Sequence, residues 1–293
     1  MAELSSEAFS VEQRDGVLIG PVRSPKNTAS HLGAGSIHDD ATAQKLGFRG
    51  GTVTGSLHME QFPPLLVEAF GEEWLRQGGL SLYFKYATTD SEPVQAFARQ
   101  PSGNRTEVWM DDSKGNRVAD GTASLGPDAE STLQQRMAAM PAPQDLRILK
   151  GVQAGDAGER LPTRISQEAQ DGRLAVITEP LAAYTDPGIY GERIATPALQ
   201  VQVLRAGERS MLPRNSDFGV GLFGAIELQL HGQPVFIEHD YECQCRVLAV
   251  GETPKTEYLY YSASLYEPGS DEQVLSMIMM TRFMKASSQL WAS

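Results

Sequence analysis

Cysteine is scarce in the 293-residue sequence, which contains only Cys243 and Cys245. The two lie in the segment YECQCR, where alternation along a strand would place both side chains on one face. So few cysteines exclude a disulfide framework. Because no pair of histidines stands at ligand spacing, buried strand thiols are the preferred interpretation, and we predict no metal site.

Long apolar runs are also absent, since no stretch approaches the roughly 20 residues that span a membrane. The first residues, MAELSSEAFSVEQRDG, contain neither the basic nor the apolar part of an export signal. Hydrophobic residues make up 41% of the chain and charged residues 21%, values typical of folded soluble proteins. The composition therefore predicts a soluble, cytoplasmic protein with no membrane partner.

Positive charge is in the minority. Lys and Arg number 25 against 37 Asp and Glu, and the resulting net charge of −12 opposes binding to nucleic acids. A ligand such as coenzyme A needs only a few local cations, and Arg99, Arg105 and Lys85 are candidates for them. The sequence therefore predicts a small-molecule or acyl-thioester substrate and no nucleic-acid partner.

A short helix, a long central helix and then a run of strands are predicted for the first half. Residues 38–46 indicate a short helix, and a Gly-rich turn leads into a long central helix over 56–78. Pro63 and Pro64 should bend that helix or make it restart. Four segments with period-two alternation follow, at 80–90, 93–100, 105–112 and 117–126. This order predicts an α+β unit, an antiparallel sheet wrapped on a central helix.

The second half repeats the pattern of the first. At a constant spacing of 141 residues, Thr54-Gly55 corresponds to Ala195-Thr196, and His38 corresponds to Glu179. The identities differ at these positions, whereas the order of helix and strand patterns is kept. The spacing therefore predicts an internal duplication whose second copy is degenerate.

Two units and a connector follow from this duplication. We predict an N-terminal unit at 1–130 that carries the candidate site and a C-terminal unit at 161–293 that serves as its structural partner. The segment at 131–160 is polar, Ala-rich and interrupted by proline, the composition of a connector with one helix.

His38 carries the strongest functional signal among the five histidines, because it precedes the Gly-rich turn that opens the central helix. The backbone amides of Gly55 and Ser56 at that helix start have no intrahelical acceptor and could stabilise an oxyanion. A neutral imidazole nearby could act as a general base or hold an attacking water. The pattern favours chemistry at an activated carbonyl group.

The segments Ile37-His38-Asp39-Asp40, Gly47-Phe48 and Val53-Thr54-Gly55 resemble the motif of a hot-dog fold family, the MaoC-like enoyl thioester hydratases and dehydratases. The resemblance covers about residues 15–126 and implies a tandem double hot-dog chain. It also implies a hydro-lyase that acts on an acyl thioester or a comparable activated carbonyl substrate. His38 and Asp40 match catalytic positions, and Gly55 matches the oxyanion donor. No cofactor is expected beyond the coenzyme A or carrier part of the substrate.

Two positions depart from the family pattern. Gly33 stands where the family has a catalytic Asp, and Thr54 replaces the His of a His-Gly pair. Thr54, Ser56 or Asp40 could supply the missing polar partner. Asp39 and Asp40 also begin a predicted helix, where carboxylates cap free amides, and capping is the preferred role for both.

His58 and Glu60 form a rival cluster early in the central helix. Some hot-dog thioesterases look similar in using a carboxylate there, so Glu60 could activate water for thioester hydrolysis. His58 could share a helical face with Thr54, although a buried structural histidine is the preferred interpretation. Together with Ser56, these residues are the candidates for substrate binding. A third interpretation is a binding or accessory protein without turnover, and a monomer and a homodimer of double units are both open.

Overall fold

The first half of the chain forms a run of short helices and six antiparallel strands. The structure is a computed structural model that describes residues 11–213 and 217–292. The elements of the first half, in chain order, are β1 (Glu12–Arg14), β2 (Val17–Arg23), α1 (Asp40–Lys45), α2 (Gly55–Met59), α3 (Pro63–Phe70), α4 (Trp74–Gln77), β3 (Gly78–Phe84), β4 (Val94–Arg99), β5 (Arg105–Asp112) and β6 (Arg117–Leu125). Helix α5 (Thr132–Ala138) follows in the predicted connector.

The second half has the same plan, and its strands are longer except for β7. Its elements are β7 (Leu161–Arg164), α6 (Gln167–Leu174), α7 (Ala182–Thr185), α8 (Pro197–Leu204), β8 (Gly221–Leu230), β9 (Asp240–Glu252), β10 (Thr256–Tyr266) and β11 (Gln273–Met284). No helix within the described ranges is long and apolar enough to cross a membrane.

All strands belong to one eleven-stranded sheet in the order β1-β2-β4-β5-β6-β3-β8-β11-β10-β9-β7. The order β2-β4-β5-β6-β3 of the first half is repeated as β7-β9-β10-β11-β8 in the second. The halves join where β3 and β8 pair antiparallel, from Gly79 opposite Gln229 to Tyr83 opposite Ala225. The chain is therefore an α+β double hot-dog, as the sequence predicts, whereas the exact boundaries of the units remain a prediction.

The predicted central helix is broken into three pieces. Helix α2 ends at Met59, α3 begins at Pro63, and α4 begins at Trp74. Proline is tolerated in the first turn of a helix but not inside one, so the helix restarts at Pro63 and Pro64, which is one of the two predicted outcomes. The break leaves α2 as a separate short helix that packs against α8 between the two units.

The core lies between the helices and the concave face of the sheet. Phe62, Leu65 and Leu66 of the first unit are fully buried, and so is Leu204 of the second. Burying one such side chain stabilises the fold by roughly 1.5–3 kcal/mol. The thiols of Cys243 and Cys245 are buried on one face of β9, as predicted, and both donate to the carbonyl oxygen of Leu204.

Candidate active site

A cavity of about 390 Å³ opens where the two units meet. It lies beside the end of β3 and the beginning of β8, and both halves of the chain line it. Its polar and charged lining residues are His38, Thr52, His58, Lys85, Thr88, Thr253, Lys255, Thr256 and Arg282. Apolar side chains that include Ile37, Phe48, Phe84, Leu222 and Met284 form much of the remaining wall.

The backbone around His38 is held by the Gly-rich turn. The carbonyl oxygen of His38 accepts a hydrogen bond from Asn27 Nδ2 at 2.8 Å. A Cβ atom on Gly51 would lie 2.2 Å from that carbonyl oxygen, so no larger residue fits without moving the backbone. Asp40 Oδ1 accepts from the amide of Gly51 at 2.7 Å and ties the turn to the start of α1. These contacts fix where the His38 side chain emerges into the cavity.

The ring of His38 is oriented by Thr52. Nδ1 lies 2.7 Å from the carbonyl oxygen of Thr52, which can only accept, so Nδ1 carries the proton and donates it. Burial lowers the pKa of His38 below its ordinary value, and the hydrogen bond to Thr52 offsets only part of this effect. The imidazole is therefore neutral near pH 7 and presents an unprotonated Nε2, which is the form a general base requires.

The two aspartates after His38 have structural contacts. Asp39 is the N-cap of α1 and accepts from the amide and the hydroxyl of Thr42, at 2.8 and 2.7 Å. These hydrogen bonds hold the pKa of the Asp39 carboxyl below its usual range. Asp40, predicted as catalytic, lies outside the cavity lining and bonds to Gly51 as described above. Both carboxylates position the backbone that carries His38.

Gly55 is the first residue of α2 and borders the cavity. The amide of Gly55 at this helix start has no intrahelical acceptor and no other partner among the described residues, so it is available to a ligand. A Cβ atom at position 55 would lie 2.8 Å from the Phe84 ring, so glycine is what lets the ring and the helix approach each other. Thr54 and Ser56, predicted as catalytic and substrate-binding, are not among the residues that line the cavity.

His58 and Glu60 are not brought together. His58 borders the cavity, and its Nε2 lies 2.7 Å from the hydroxyl of Thr88. Glu60 is fully buried outside the cavity lining, and its Oε1 accepts from the amide of Ala198 at the start of α8. Burial lowers the pKa of His58 to about 4 and raises that of Glu60 to about 7. The predicted rival cluster is therefore divided between the cavity and the junction of α2 with α8.

Hydrogen-bond pairs correct the correspondence between the two units. The amide of Val53 donates to Thr88 O as that of Ala195 donates to Val235 O, so Val53 corresponds to Ala195. The spacing here is therefore 142, one more than the sequence suggested. It follows that Gly55, the first residue of α2, corresponds to Pro197, the first residue of α8. Proline has no N–H group, so the second unit lacks the amide donor of the first.

The counterpart of His38 is also corrected. Thr52 N donates to Ile37 O, and Ile194 N donates to Ala183 O, which makes the following residue, Tyr184, the equivalent of His38. Glu179, predicted at this position, instead forms an ion pair with Arg23. A space of only about 20 Å³ remains around Tyr184 and Pro197, where Trp74 is among the lining residues. The second unit therefore has a tyrosine in place of the base His38, and a much smaller space than the cavity of the first unit.

Sequence reasoning missed most of the cations at the cavity. Lys85, a predicted candidate, lines it and pairs with Asp120. Lys255 and Arg282 line it from the second unit, and among the described residues no carboxylate forms an ion pair with either. The other two candidates are elsewhere, Arg99 paired with Glu107 and Arg105 with Asp128. No local signal could have found Arg282, because the pairing of β3 with β8 brings it to the site.

The fold places this cavity in a double hot-dog protein, at the side of the first unit. Among solved structures, the chain is similar to a MaoC domain protein from Chloroflexus aurantiacus described as a dehydratase, with a TM-score of 0.62 and 12% identity, covering 95% of this chain and 96% of that one. It is also similar to a conserved hypothetical protein from Mycobacterium tuberculosis with a double hotdog fold, with a TM-score of 0.57, 13% identity and coverage of 90% and 93%.

A third similar structure is the dehydratase domain of PpsC from Mycobacterium tuberculosis in complex with C12:1-CoA. The TM-score is 0.52 at 12% identity, with coverage of 94% and 96%. No family model and no curated protein sequence matches the chain. At these identities the similarity establishes the fold, the double hot-dog of MaoC-like dehydratases.

Proposed function

We propose that this protein is a hydro-lyase of the hydratase and dehydratase type that acts on an acyl thioester or a comparably activated carbonyl compound. The observation that carries the proposal is the neutral His38, which has an unprotonated Nε2 and lines the same cavity as Gly55 at the start of α2. A base and an amide donor at one cavity are what addition of water to an α,β-unsaturated thioester requires.

In the proposed reaction, Nε2 of His38 removes a proton from water as its oxygen bonds to the β-carbon. The electron pair of the double bond moves onto the carbonyl oxygen, where the amide of Gly55 stabilises the developing negative charge. The α-carbon then recovers the proton from His38, so the ring returns to its starting form. Dehydration follows the same steps in reverse, and neither direction uses a cofactor.

The charges around the cavity support a substrate with a phosphate-bearing carrier. Lys255 and Arg282 have no carboxylate partner among the described residues, although the chain as a whole is acidic. Unpaired cations at a cavity favour an anionic ligand group. The dehydratase domain of PpsC binds C12:1-CoA, and by analogy we propose that coenzyme A or a phosphopantetheine carrier holds the acyl group here. A cytoplasmic location is part of the same proposal.

Glu60 does not favour the alternative of thioester hydrolysis. Its carboxyl group is fully buried at the junction of α2 and α8, outside the residues that line the cavity. A carboxylate that activates water needs contact with both the water and the reacting carbonyl. Hydrolysis therefore enters only as an outcome of the test.

The test is an ultraviolet assay of double-bond hydration on a panel of enoyl-CoA thioesters, with free thiol release followed in parallel. Wild type is compared with His38→Ala and with the control His31→Ala, since His31 also contacts a backbone carbonyl through Nδ1 but is exposed outside the cavity. Loss of the double-bond signal in wild type and in the control, but not in His38→Ala, is expected. Thiol release alone would replace the proposal with hydrolysis, and silence in both channels would refute it for these substrates.

A further inference from the structure

The strand ends of the second unit present one sheet face to the cavity. Leu222 of β8 lies directly opposite Arg282 of β11, so the two side chains share one face of the sheet. Met284 is two residues after Arg282 and lies opposite Thr256 of β10, on that same face. All four residues line the cavity. The pairing of the strands therefore directs these side chains to the space that His38 borders.

Two apolar residues of the first unit pack with Leu222 and Met284. Ile37 and Phe48 also line the cavity, and Ile37 immediately precedes the proposed base His38 in the chain. The four apolar residues belong to one cluster, which is separate from the main core of the protein. We call these four residues the apolar wall. Both units contribute to it, and it begins next to the residue that carries the chemistry.

Charge and burial differ between the cations of the cavity and the apolar wall. Lys255 lines the cavity with an exposed side chain, whereas Ile37 and Met284 are buried. An anionic carrier group is favoured near an exposed cation, and an uncharged hydrocarbon near apolar side chains. Phe48 and Leu222 are half-buried, so both have surface that a ligand can cover. Covering that surface would stabilise a bound hydrocarbon chain.

We propose that the apolar wall holds the acyl chain of the substrate and limits it to about eight carbons. The inference rests on the proposed function and names its substrate class. The cavity of about 390 Å³ is near the small end of ligand sites. At about 30 Å³ for a group the size of a water molecule, it holds roughly a dozen groups, and the thioester and the end of the carrier arm take several. The second unit, which has no counterpart of His38, thereby sets the chain length through Leu222 and Met284.

Binding of saturated acyl thioesters tests the apolar wall without turnover. Butyryl-, hexanoyl-, octanoyl- and dodecanoyl-CoA are titrated into the full chain by calorimetry. Each methylene group that is buried against apolar surface raises the affinity by about fourfold. We expect this rise from butyryl-CoA to octanoyl-CoA and no further rise to dodecanoyl-CoA. With enoyl-CoA substrates of the same lengths, kcat/KM for hydration should follow the same order.

Substitutions at Leu222 should move the length limit in both directions. Leu222→Ala enlarges the space and should extend the rise in affinity by about two carbons, whereas Leu222→Trp fills the space and should end the rise at hexanoyl-CoA. Leu46→Ala is the matched control, because Leu46 is half-buried in the same apolar cluster but does not line the cavity. It should leave the preferred length unchanged. Phe48→Ala should act like Leu222→Ala and decides the question if Leu222→Trp does not fold.

The outcomes separate this inference from the proposed function. A preferred length that depends on Leu222 in a protein without hydration activity would support the apolar wall and refute the hydratase. Hydration that depends on His38, with one preferred length in wild type and in every Leu222 and Phe48 variant, would refute the wall and keep the hydratase. An equal shift in Leu46→Ala and Leu222→Ala would also refute the wall. Failure of all four thioesters to bind wild type would refute both.

Discussion

Nδ1 of His38 lies 2.7 Å from the carbonyl oxygen of Thr52. Since a carbonyl group only accepts, this contact leaves Nε2 as the nitrogen that can take a proton from water. Asn27, Gly51 and Asp40 hold the backbone on either side, so the ring enters the cavity in one orientation. The proposed chemistry depends on this arrangement more than on any other contact.

The first prediction concerns pH. Burial lowers the pKa of His38 below its ordinary 6.5, so the imidazole loses its proton at a lower pH and the basic form persists into mildly acid solution. We expect kcat/KM for hydration to rise with pH, to reach half its plateau below 6.5, and to stay level toward about pH 8. A pH series with one enoyl-CoA substrate measures this. A half-point above about 7 would contradict a buried, neutral base.

The second prediction concerns Gly55. Alanine at this position would place a Cβ atom 2.8 Å from the Phe84 ring, and either the ring or the start of α2 must move. We expect Gly55→Ala to lower kcat/KM by about 10²-fold, because a misplaced donor is nearly as costly as a missing one. Phe84→Leu in the same chain should restore part of the loss by making room.

Gly172→Ala is the matched control for Gly55→Ala. Gly172 lies in α6, and a Cβ atom there would meet nothing within 4 Å. This change should leave activity unaltered and stabilise the helix by up to about 1 kcal/mol. Equal activity of Gly55→Ala and Gly172→Ala would remove Gly55 from the proposed mechanism.

The third prediction concerns the stability at the junction of the two units. The folded pKa of Glu60 is about 7, above its ordinary 4.5, so the folded state holds a proton that the unfolded state releases. Its contribution is fully present below 4.5 and is lost as the pH rises through 7. This pKa difference lowers the free energy of unfolding by about 3 kcal/mol at pH 8, relative to its value at low pH.

Glu60→Gln tests that linkage, because it keeps an acceptor for the amide of Ala198 and cannot ionise. The free energy of unfolding, measured with urea at about pH 5 and about pH 8, should fall less between the two in the variant than in wild type. His58, with a folded pKa of about 4, lowers the free energy of unfolding as the pH falls, which opposes the effect of Glu60. Wild type and Glu60→Gln both contain His58, so this contribution cancels when the two are compared. Glu68→Gln on the exposed face of α3 is the control, and an equal effect of both variants would contradict the assignment.

The fourth prediction concerns the second unit. Tyr184 and Pro197 stand in the places of His38 and Gly55, and the space around them is only about 20 Å³. We expect Tyr184→Phe to leave kcat within about twofold of wild type, since no proton transfer depends on that position. A loss above about tenfold with an unchanged unfolding temperature would show that the second unit takes part in the reaction.

The strands show how far local pattern could reach. The segment at 105–112 coincides with β5, and those at 93–100 and 117–126 match β4 and β6 to within one residue at each end, because alternation is a local property. The segment at 80–90 matches only in its first part, since β3 ends at Phe84. Strand β8, which joins the units, was not predicted. Its first residues include Gly221 and Gly224, which have low strand propensity and carry no side chain to reveal an alternating pattern. The strand through which the second unit pairs with the first therefore has a weak sequence signal.

The repeat spacing is a second feature that the sequence determined only approximately. A spacing of 141 identified the duplication, yet hydrogen bonds give 142 at Val53 and Ala195. A shift of one residue is invisible in a degenerate repeat, but it replaces Thr196 with Pro197 as the counterpart of Gly55. The conclusion that the second unit lacks an amide donor therefore required the structure.

The sequence by itself determined the two α+β units, an interruption of the central helix at Pro63 and Pro64, and His38 and Gly55 as the leading candidates, because these depend on local pattern and backbone chemistry. The tertiary structure decided which polar groups share a cavity. His58 and Glu60 are two positions apart near the end of α2, which on a helix turns them about 200° from each other, so one borders the cavity and the other the junction with α8. Arg282 and Lys255 reach the site only because β3 pairs with β8, a contact between residues far apart in the chain.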